Sequence, residues 1–514
     1  MDFPDAHAER TPDKVAYELG DTQVTYAELV DDSIRIANLL RERGIADGDV
    51  VAILLPNVVG LLEVAWAAQR SGLRYTAIAE HLTASEIAYI LADSGARALF
   101  TARSHAPVAA KALAEVGAPI ATFLVDGPAE GEGDGSADGF EDLRALLPAQ
   151  PATPTGPERE GVDLLYSSGT TGRPKGVAAN LPDAPLGTAP GTAPFLQATW
   201  GFDADTVYLS PAPLYHAAPL RTSMTVQRFG GTVVVLPKFD AATSLRLVEE
   251  RRVTHTQMVP TMFVRLLQLP DEVRAAADLS SLRAVIHAAA PCPPEVKRAM
   301  IDWVGPIVDE YYSCTEAVLL TVIRSAEALE RPGSVGRPVL GTPHVLDADG
   351  NELPAGEHGT IWSEGGLDFS YLNAPEKTEA TRNERGWRTV GDLGYVDADG
   401  YLYLSDRRED LVLVGGVNVY PQEAENLLVA HPDVADAAVF GIPHPEYGAE
   451  VRAVVQLRPG IDGTPERADA LLEHVRERLT AVKCPRVLEF ADELPRTPTG
   501  KLLRRVLKDR YAAR

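Results

Sequence analysis

The tract Tyr166-Ser167-Ser168-Gly169-Thr170-Thr171-Gly172-Arg173-Pro174-Lys175-Gly176-Val177 gathers glycines, hydroxyls and a lysine directly behind the apolar run VDLL. Glycines let backbone N–H groups approach phosphate oxygens, hydroxyls add donors, and a lysine supplies a point charge. The chemistry is that of a loop cradling a polyphosphate. It is not a Walker A loop, whose spacing G-x-x-x-x-G-K-[ST] the tract fails. A polar turn without a ligand would account for two glycines but not for this density of Ser, Thr and Lys.

Such a loop needs a rigid frame. From about residue 25 to 330, Val/Ile/Leu-rich runs such as VVAILL, ARALF and TVVVL alternate with helical patterns. That alternation predicts an α/β fold, with parallel strands and crossover helices on both sheet faces. Between about 335 and 405 short strands alternate with turn signals, DADG at 347–350 and again at 397–400, which predicts a small β unit. Past Asp406 the runs LVLV, PQEAE, AAVFGI and VRAVVQL predict a small α+β domain. The expected domains are therefore 1–406 and 407–514. The segment Gly127–Gly139 reads as a surface loop, and Leu181–Pro194 as an irregular stretch following the phosphate-type tract.

Composition narrows the partners. A chain of 514 residues exceeds one ordinary core. With 48 basic and 73 acidic side chains the net charge is −25, which disfavours nucleic acid and anionic membranes as partners. The three cysteines, Cys292, Cys314 and Cys484, are too widely spaced for a disulfide framework or a CxxC clamp. No basic n-region precedes an apolar h-region, so a cytoplasmic location is expected. The apolar stretch 50–68 is broken by Pro56 and Asn57 and carries Glu63, so it reads as strand, turn and packed helix, with no stable membrane insertion.

The phosphate-type tract resembles the phosphate loop of the adenylate-forming superfamily of acyl-CoA synthetases, adenylation domains and luciferases. The likeness continues in order down the chain. Pro213-Leu214-Tyr215-His216 resembles the family's histidine motif, and Ala288-Ala289-Ala290-Pro291 its adenine-contacting turn. Tyr312-Ser313-Cys314-Thr315-Glu316 resembles Y-G-x-T-E, and Thr389-Val390-Gly391-Asp392 the T-G-D region. Asp406-Arg407-Arg408-Glu409-Asp410 resembles the hinge, Gly415-Gly416 the C-terminal Gly-rich loop, and Pro498-Thr499-Gly500-Lys501 the terminal lysine motif. In detail the chain is similar to the bacterial fatty-acyl-CoA synthetase-like branch.

The resemblance implies an ATP-dependent enzyme with CoA as second substrate. Attack of a carboxylate on the α-phosphorus of ATP is mostly positioning and charge neutralisation. Lys501, His216 and Lys175 are the implied catalytic residues. Nucleotide and CoA contacts are implied for Ser167, Ser168, Gly169, Thr170, Thr171, Gly172, Lys175, Ala289, Ala290, Pro291, Tyr312, Ser313, Thr315, Asp392, Arg407, Gly415 and Gly416. Glu316, with Thr170, is implied for Mg²⁺, a hard ion that takes carboxylate and phosphate oxygens. Cys314, Ala317 and His216 would line the acid pocket, and Glu409 would be the hinge on which a mobile C-terminal domain turns. In the tail, the spacing of Leu502, Leu503 and Val506 reads as core packing.

Departures from the family pattern sharpen the expectation. Ser313 replaces the usual glycine and Cys314 adds volume, which shortens or narrows the acid pocket. The expected activity is an acid-CoA ligase acting through an acyl-AMP on a short, branched or aromatic acid. Rival readings are a diazotase-type relative that adenylates nitrite and passes it to an arylamine, an enzyme loading a separate carrier protein, and a non-catalytic nucleotide binder.

Overall fold

The computed structural model describes residues 3–126, 139–167, 174–188, 192–407, 410–414, 417–444, 447–497 and 502–512. These form two compact units, Met1–Gln257 with Ala277–Ala284 and Asp368–Ala380, and Met258–Ala276 with Val285–Leu367 and Thr381–Arg514. The loop expected at Gly127–Gly139 lies outside the described residues except for its last glycine. No described helix is long and apolar enough to cross a membrane.

In the first unit, strand Val50–Leu54 is buried along its whole length and pairs in parallel with Arg74–Ala77 and Ala96–Thr101. A continuous Val/Ile/Leu run suits this position because both of its faces are covered. The sheet continues through Val162–Ser167 to the antiparallel strands Lys175–Ala178 and Ser370–Tyr371. Helix Leu61–Arg70 is buried throughout, Glu63 included, which completes the strand, turn and packed helix read from 50–68. Helix Ala84–Ser94 starts in a capping box, Thr83 with Glu86, and stops at Gly95, whose φ is 65°. A second sheet pairs Val207–Ser210 with Thr232–Val235 and with His255 and Thr256. Residues Leu181–Thr188 carry no helix or strand, as expected, but a helix begins at Thr192, inside the stretch read as irregular.

In the second unit, Val285–His287 runs parallel to Val308–Ser313, which turns back antiparallel into Leu320–Ile323. Ser334–Leu340, Leu402–Arg407, Asp392–Val396, Gly359–Glu364 and Thr342–Leu346 extend this sheet antiparallel, giving the predicted β unit. Gly366, at φ 88°, passes so close to the 308–323 hairpin that a Cβ would stand 2.2 Å from the Val318 carbonyl oxygen.

Past residue 410 the chain builds a core of its own. Val434–His444 and Gly448–Leu457 pair antiparallel, and Val487–Phe490 adds in parallel. Helices Pro421–Val429 and Pro465–Arg476 contribute Leu428 and Leu471 to a cluster with Val439 and Val455. The last helix, Arg504–Ala512, corrects the spacing read from the tail. Val506 is 43% exposed, while Leu507 and Tyr511 are buried against Phe440. The buried stripe follows the i, i+4 pair 507 and 511, and partly buried Leu502 packs against it as expected.

Candidate active site

The second unit brings together the motif residues of two strands. Tyr312 donates from its hydroxyl to Asp392 Oδ2 at 2.5 Å, and both sit near the ends of their strands. Asp392 lies opposite Arg407 in the register. The turn that delivers Asp392 is itself fixed. Thr389 Oγ1 donates to the Ile361 carbonyl at 2.7 Å and accepts from the Gly391 N–H at 3.1 Å. Asp392 is 7% exposed, and a carboxylate so placed accepts strong charge-assisted hydrogen bonds.

Between the strands Val308–Ser313 and Leu320–Ile323 the chain makes a tight turn. Ala317 sits at φ 51°, and its N–H donates to the Cys314 carbonyl at 3.0 Å. A left-handed alanine costs about 1 kcal/mol, and strain of this kind gathers where geometry serves a ligand. Ala289 in the 288–291 turn is likewise left-handed, at φ 73°. Glu316 is 8% exposed within the hairpin turn. Burial first, then the Glu316 carboxylate, push the Cys314 thiol up, so it is a neutral thiol and not a thiolate. Ser313 spends its proton on the Leu319 carbonyl at 2.9 Å. Among the described residues no three His, Cys, Asp or Glu side chains converge on a metal site. Glu316 is a single hard carboxylate of the kind that would suit Mg²⁺ alongside phosphate oxygens and water.

The first unit holds Lys175 and His216. Lys175 opens the strand that follows the phosphate-type tract, and its Nζ lies 5.1 Å from the centroid of the Tyr371 ring. Tyr371 reaches this place because Ser370–Tyr371 pairs antiparallel with Val177 and Ala178. At the head of the tract, Tyr166 donates to Asp93 Oδ2 at 2.7 Å; burial first, then that carboxylate, push its phenol up.

His216 caps the N-terminus of helix Ala217–Phe229 without a side-chain bond. Its Nε2 is buried and meets no hydrogen-bond partner among the described residues, as does the Tyr215 hydroxyl. Burial, and secondly His81, push the imidazole down to about 4, so it is neutral near pH 7. Asn57 holds the backbone leading to it. Its Nδ2 donates to the carbonyls of Ala212 and Leu236 at 3.2 and 2.7 Å, and its Oδ1 accepts from Leu214 N–H at 2.8 Å.

Ser168, Gly169, Thr170, Thr171, Gly172, Glu409, Gly415, Gly416 and Lys501 lie outside the described residues. Ser167 ends strand Val162–Ser167 in register with Lys175, and Arg407 ends its strand opposite Asp392. Ala289, Ala290, Pro291 and Thr315 lie on the turns already described. Tyr371, Asp93, Asn57 and His81 were missed by reading the sequence. Only His81 left a local signal, since it follows the C-terminal end of the parallel strand Arg74–Ala77, where open α/β sheets bind ligands.

Comparison with protein families matches residues 4–367 to the AMP-binding enzyme family and residues 423–501 to the AMP-binding enzyme C-terminal domain. The chain is 35% identical over 518 residues to a feruloyl-CoA synthase of Amycolatopsis sp, covering 99% of this chain and 98% of the relative. It is 31% identical over 502 residues to the long-chain-fatty-acid–CoA ligase FadD13 of Mycobacterium tuberculosis, covering 96% and 94%. Among solved structures it is similar to ATP-bound MatB from Rhodopseudomonas palustris, with TM-score 0.83, 30% identity and coverage of 100% and 99%.

Proposed function

The chain belongs to the AMP-binding enzyme family, the adenylate-forming superfamily, and from that premise we propose that it is an ATP-dependent acid-CoA ligase for an aromatic or branched carboxylic acid. The observation that carries the reading is the Tyr312–Asp392 hydrogen bond beside the turn holding Glu316. The relatedness to a feruloyl-CoA synthase supports an aromatic acid.

A carboxylate oxygen of the acid attacks the α-phosphorus of ATP, and pyrophosphate departs with the electrons of the α–β bridge. The thiol of CoA then attacks the acyl carbonyl, loses its proton, and expels AMP. In this reading Asp392 accepts from the ribose hydroxyls and the Tyr312 ring offers adenine a stacking face. Glu316 and Thr170 would hold Mg²⁺, which would supply neutralisation of phosphate charge. Lys175 and the phosphate loop bind the β- and γ-phosphates, while Lys501 offsets the repulsion between carboxylate and α-phosphate. Neutral His216, fixed through Asn57, orients the acid. The stretch 407–514 acts as the C-terminal domain, with Glu409 at its hinge and Gly415-Gly416 leaving room for the pantetheine arm.

The test is pyrophosphate release from ATP over fatty, branched, benzoic and hydroxycinnamic acids, each with and without CoA, and over nitrite with an arylamine. Release with an organic acid and a CoA thioester product is expected. Release with nitrite alone, indifferent to CoA, or transfer only to a carrier protein, overturns the ligase assignment. Lys501→Ala is expected to bind ATP and form no adenylate.

A further inference from the structure

Two residues beside the strands that flank the phosphate-type tract break local rules, and both belong to one network. Asp93 places a carboxylate in the last turn of helix Ala84–Ser94, the end at which the helix dipole disfavours negative charge. Asn373 holds the left-handed conformation at φ 52° without being glycine. Neither choice stabilises its own element. The Tyr166 hydroxyl donates to Asp93 Oδ2 at 2.7 Å, and Asn373 Nδ2 donates to the Asp93 carbonyl oxygen at 2.8 Å. Departures from local preference that converge on one contact point to a geometry held for a ligand.

The strands tied by this network have two faces with different tasks. Tyr166 pairs in register with Gly176, Tyr371 pairs with Val177, and the Leu372 N–H donates to the Gly176 carbonyl at 2.8 Å. Paired residues share a face and successive residues alternate, so Tyr166, Gly176 and Leu372 lie on one face, and Lys175, Val177 and Tyr371 on the other. The first is the back face. There Tyr166 and Leu372 pack on the core that contains Ile87 and Leu91 of the helix bearing Asp93. Gly176 lets these two side chains close over the strand, since a Cβ would stand 3.0 Å from Tyr166 Cζ and 3.2 Å from Leu372 Cβ. The opposite face carries Lys175, whose Nζ lies 5.1 Å from the Tyr371 ring centroid.

Resting on the acid-CoA ligase reading, we infer that Asp93 is a positioning residue for ATP: from behind the strands, through the Tyr166 hydroxyl, it fixes the strand pair that sets Lys175 against the β- and γ-phosphates. It acts without touching the nucleotide. Asn373, bonded to the same helix end, fixes the neighbouring strand that brings the Tyr371 ring to Lys175. AMP lacks the β- and γ-phosphates, so its binding does not depend on Lys175. The ratio of ATP to AMP affinity therefore isolates the positioning role, whereas a residue that only stabilises the fold moves both affinities or neither.

The experiment measures Kd for ATP with Mg²⁺ and for AMP on the full chain by titration calorimetry. Asp93→Ala is expected to weaken ATP by roughly tenfold, because a binding group displaced by a distant substitution loses its alignment, and to leave AMP within about twofold. Asp93→Asn still offers the Tyr166 hydroxyl an acceptor, so its ATP affinity is expected within about threefold of the natural chain. Tyr166→Phe cuts the same bond from its other end. It should weaken ATP as Asp93→Ala does, and the double variant should be no weaker than either single one. Tyr166→Phe removes only a hydroxyl, and it decides the matter should Asp93→Ala fail to fold. Equal losses of ATP and AMP, unchanged ATP binding in the single variants, or a double variant that loses the sum of both effects each overturn the inference. The affinity ratio needs no turnover. Binding of both nucleotides without pyrophosphate release on any acid overturns the ligase reading alone, whereas binding of neither by the natural chain overturns both.

Discussion

The hairpin that carries Tyr312 and the loop that carries His216 solve opposite problems. In the first, polar groups are bonded to one another: Tyr312 to Asp392, Ser313 to Leu319, and Thr389 to Ile361 and Gly391. In the second, the backbone is pinned by Asn57, but Tyr215 and His216 present buried atoms with no hydrogen-bond partner among the described residues. A pre-bonded network resists reorganisation, which suits a ligand that is always the same, as the nucleotide is. Open valences on a rigid backbone suit a ligand whose chemistry must be discriminated. The division is testable because it assigns nucleotide effects to one region and acid effects to the other.

The largest effect is expected at Asp392. Asp392→Ala removes the acceptor of the Tyr312 hydroxyl and the proposed ribose acceptor together. It should lower kcat/KM for ATP by about a hundredfold, as loss of a buried polar recognition group does. Tyr312→Phe keeps the ring and loses one bond, so a several-fold rise in KM for ATP is expected, with about 1 kcal/mol less stability. ATP titrations of pyrophosphate exchange at saturating acid check both. Should either raise KM for the acid more than for ATP, the comparison breaks.

His216→Ala is the mirror experiment. It should lower kcat/KM for the acid by roughly tenfold or more while KM for ATP stays within about twofold. Steady-state titration of each substrate separates the two. An ATP defect of equal size would mean that the loop serves the nucleotide as well.

The differing legibility of the two regions has a physical cause. Phosphate-type chemistry, the buried run VVAILL and the β unit could be read from the sequence because each rests on a local pattern of residue type and period. Tyr371 was invisible because only strand pairing across the chain sets it on Lys175. Asn57 looked like a turn breaker, yet its amide ties three backbone groups distant in sequence. The tail was misread by one position because Leu502, Leu503 and Val506 offer an apolar spacing as plausible as the stripe that is actually buried.

A smaller effect is expected at Lys175, where the ammonium rests against an aromatic face. A partly buried cation–π contact is worth about 1 kcal/mol. Tyr371→Leu should therefore cost a few-fold in kcat/KM for ATP, and Tyr371→Phe, which keeps the ring face, should cost almost nothing. Equal losses in the two variants would place the role of Tyr371 in its hydroxyl or in strand pairing, and remove the contact from the nucleotide side of the comparison.

The smallest effect on activity is expected from pH. Burial and His81 hold His216 at about 4, against 6.5 for an unperturbed imidazole. The unfolded chain therefore takes up this proton first as pH falls. The contribution to stability is full above about 6.5 and is lost progressively as pH drops toward 4. His287 and His255, lowered mainly by burial, act with the same sign. Activity with the acid should thus show no His216 inflection between about pH 6 and 8, while the thermal midpoint declines on acidification, less steeply in His216→Gln. Profiles of kcat/KM for the acid, recorded beside melting curves over the same range, decide the matter. An activity inflection near 6.5 that vanishes in His216→Gln would mean the imidazole is solvated in the working enzyme. The open valence that distinguishes this loop from the Tyr312 hairpin would then be filled by water.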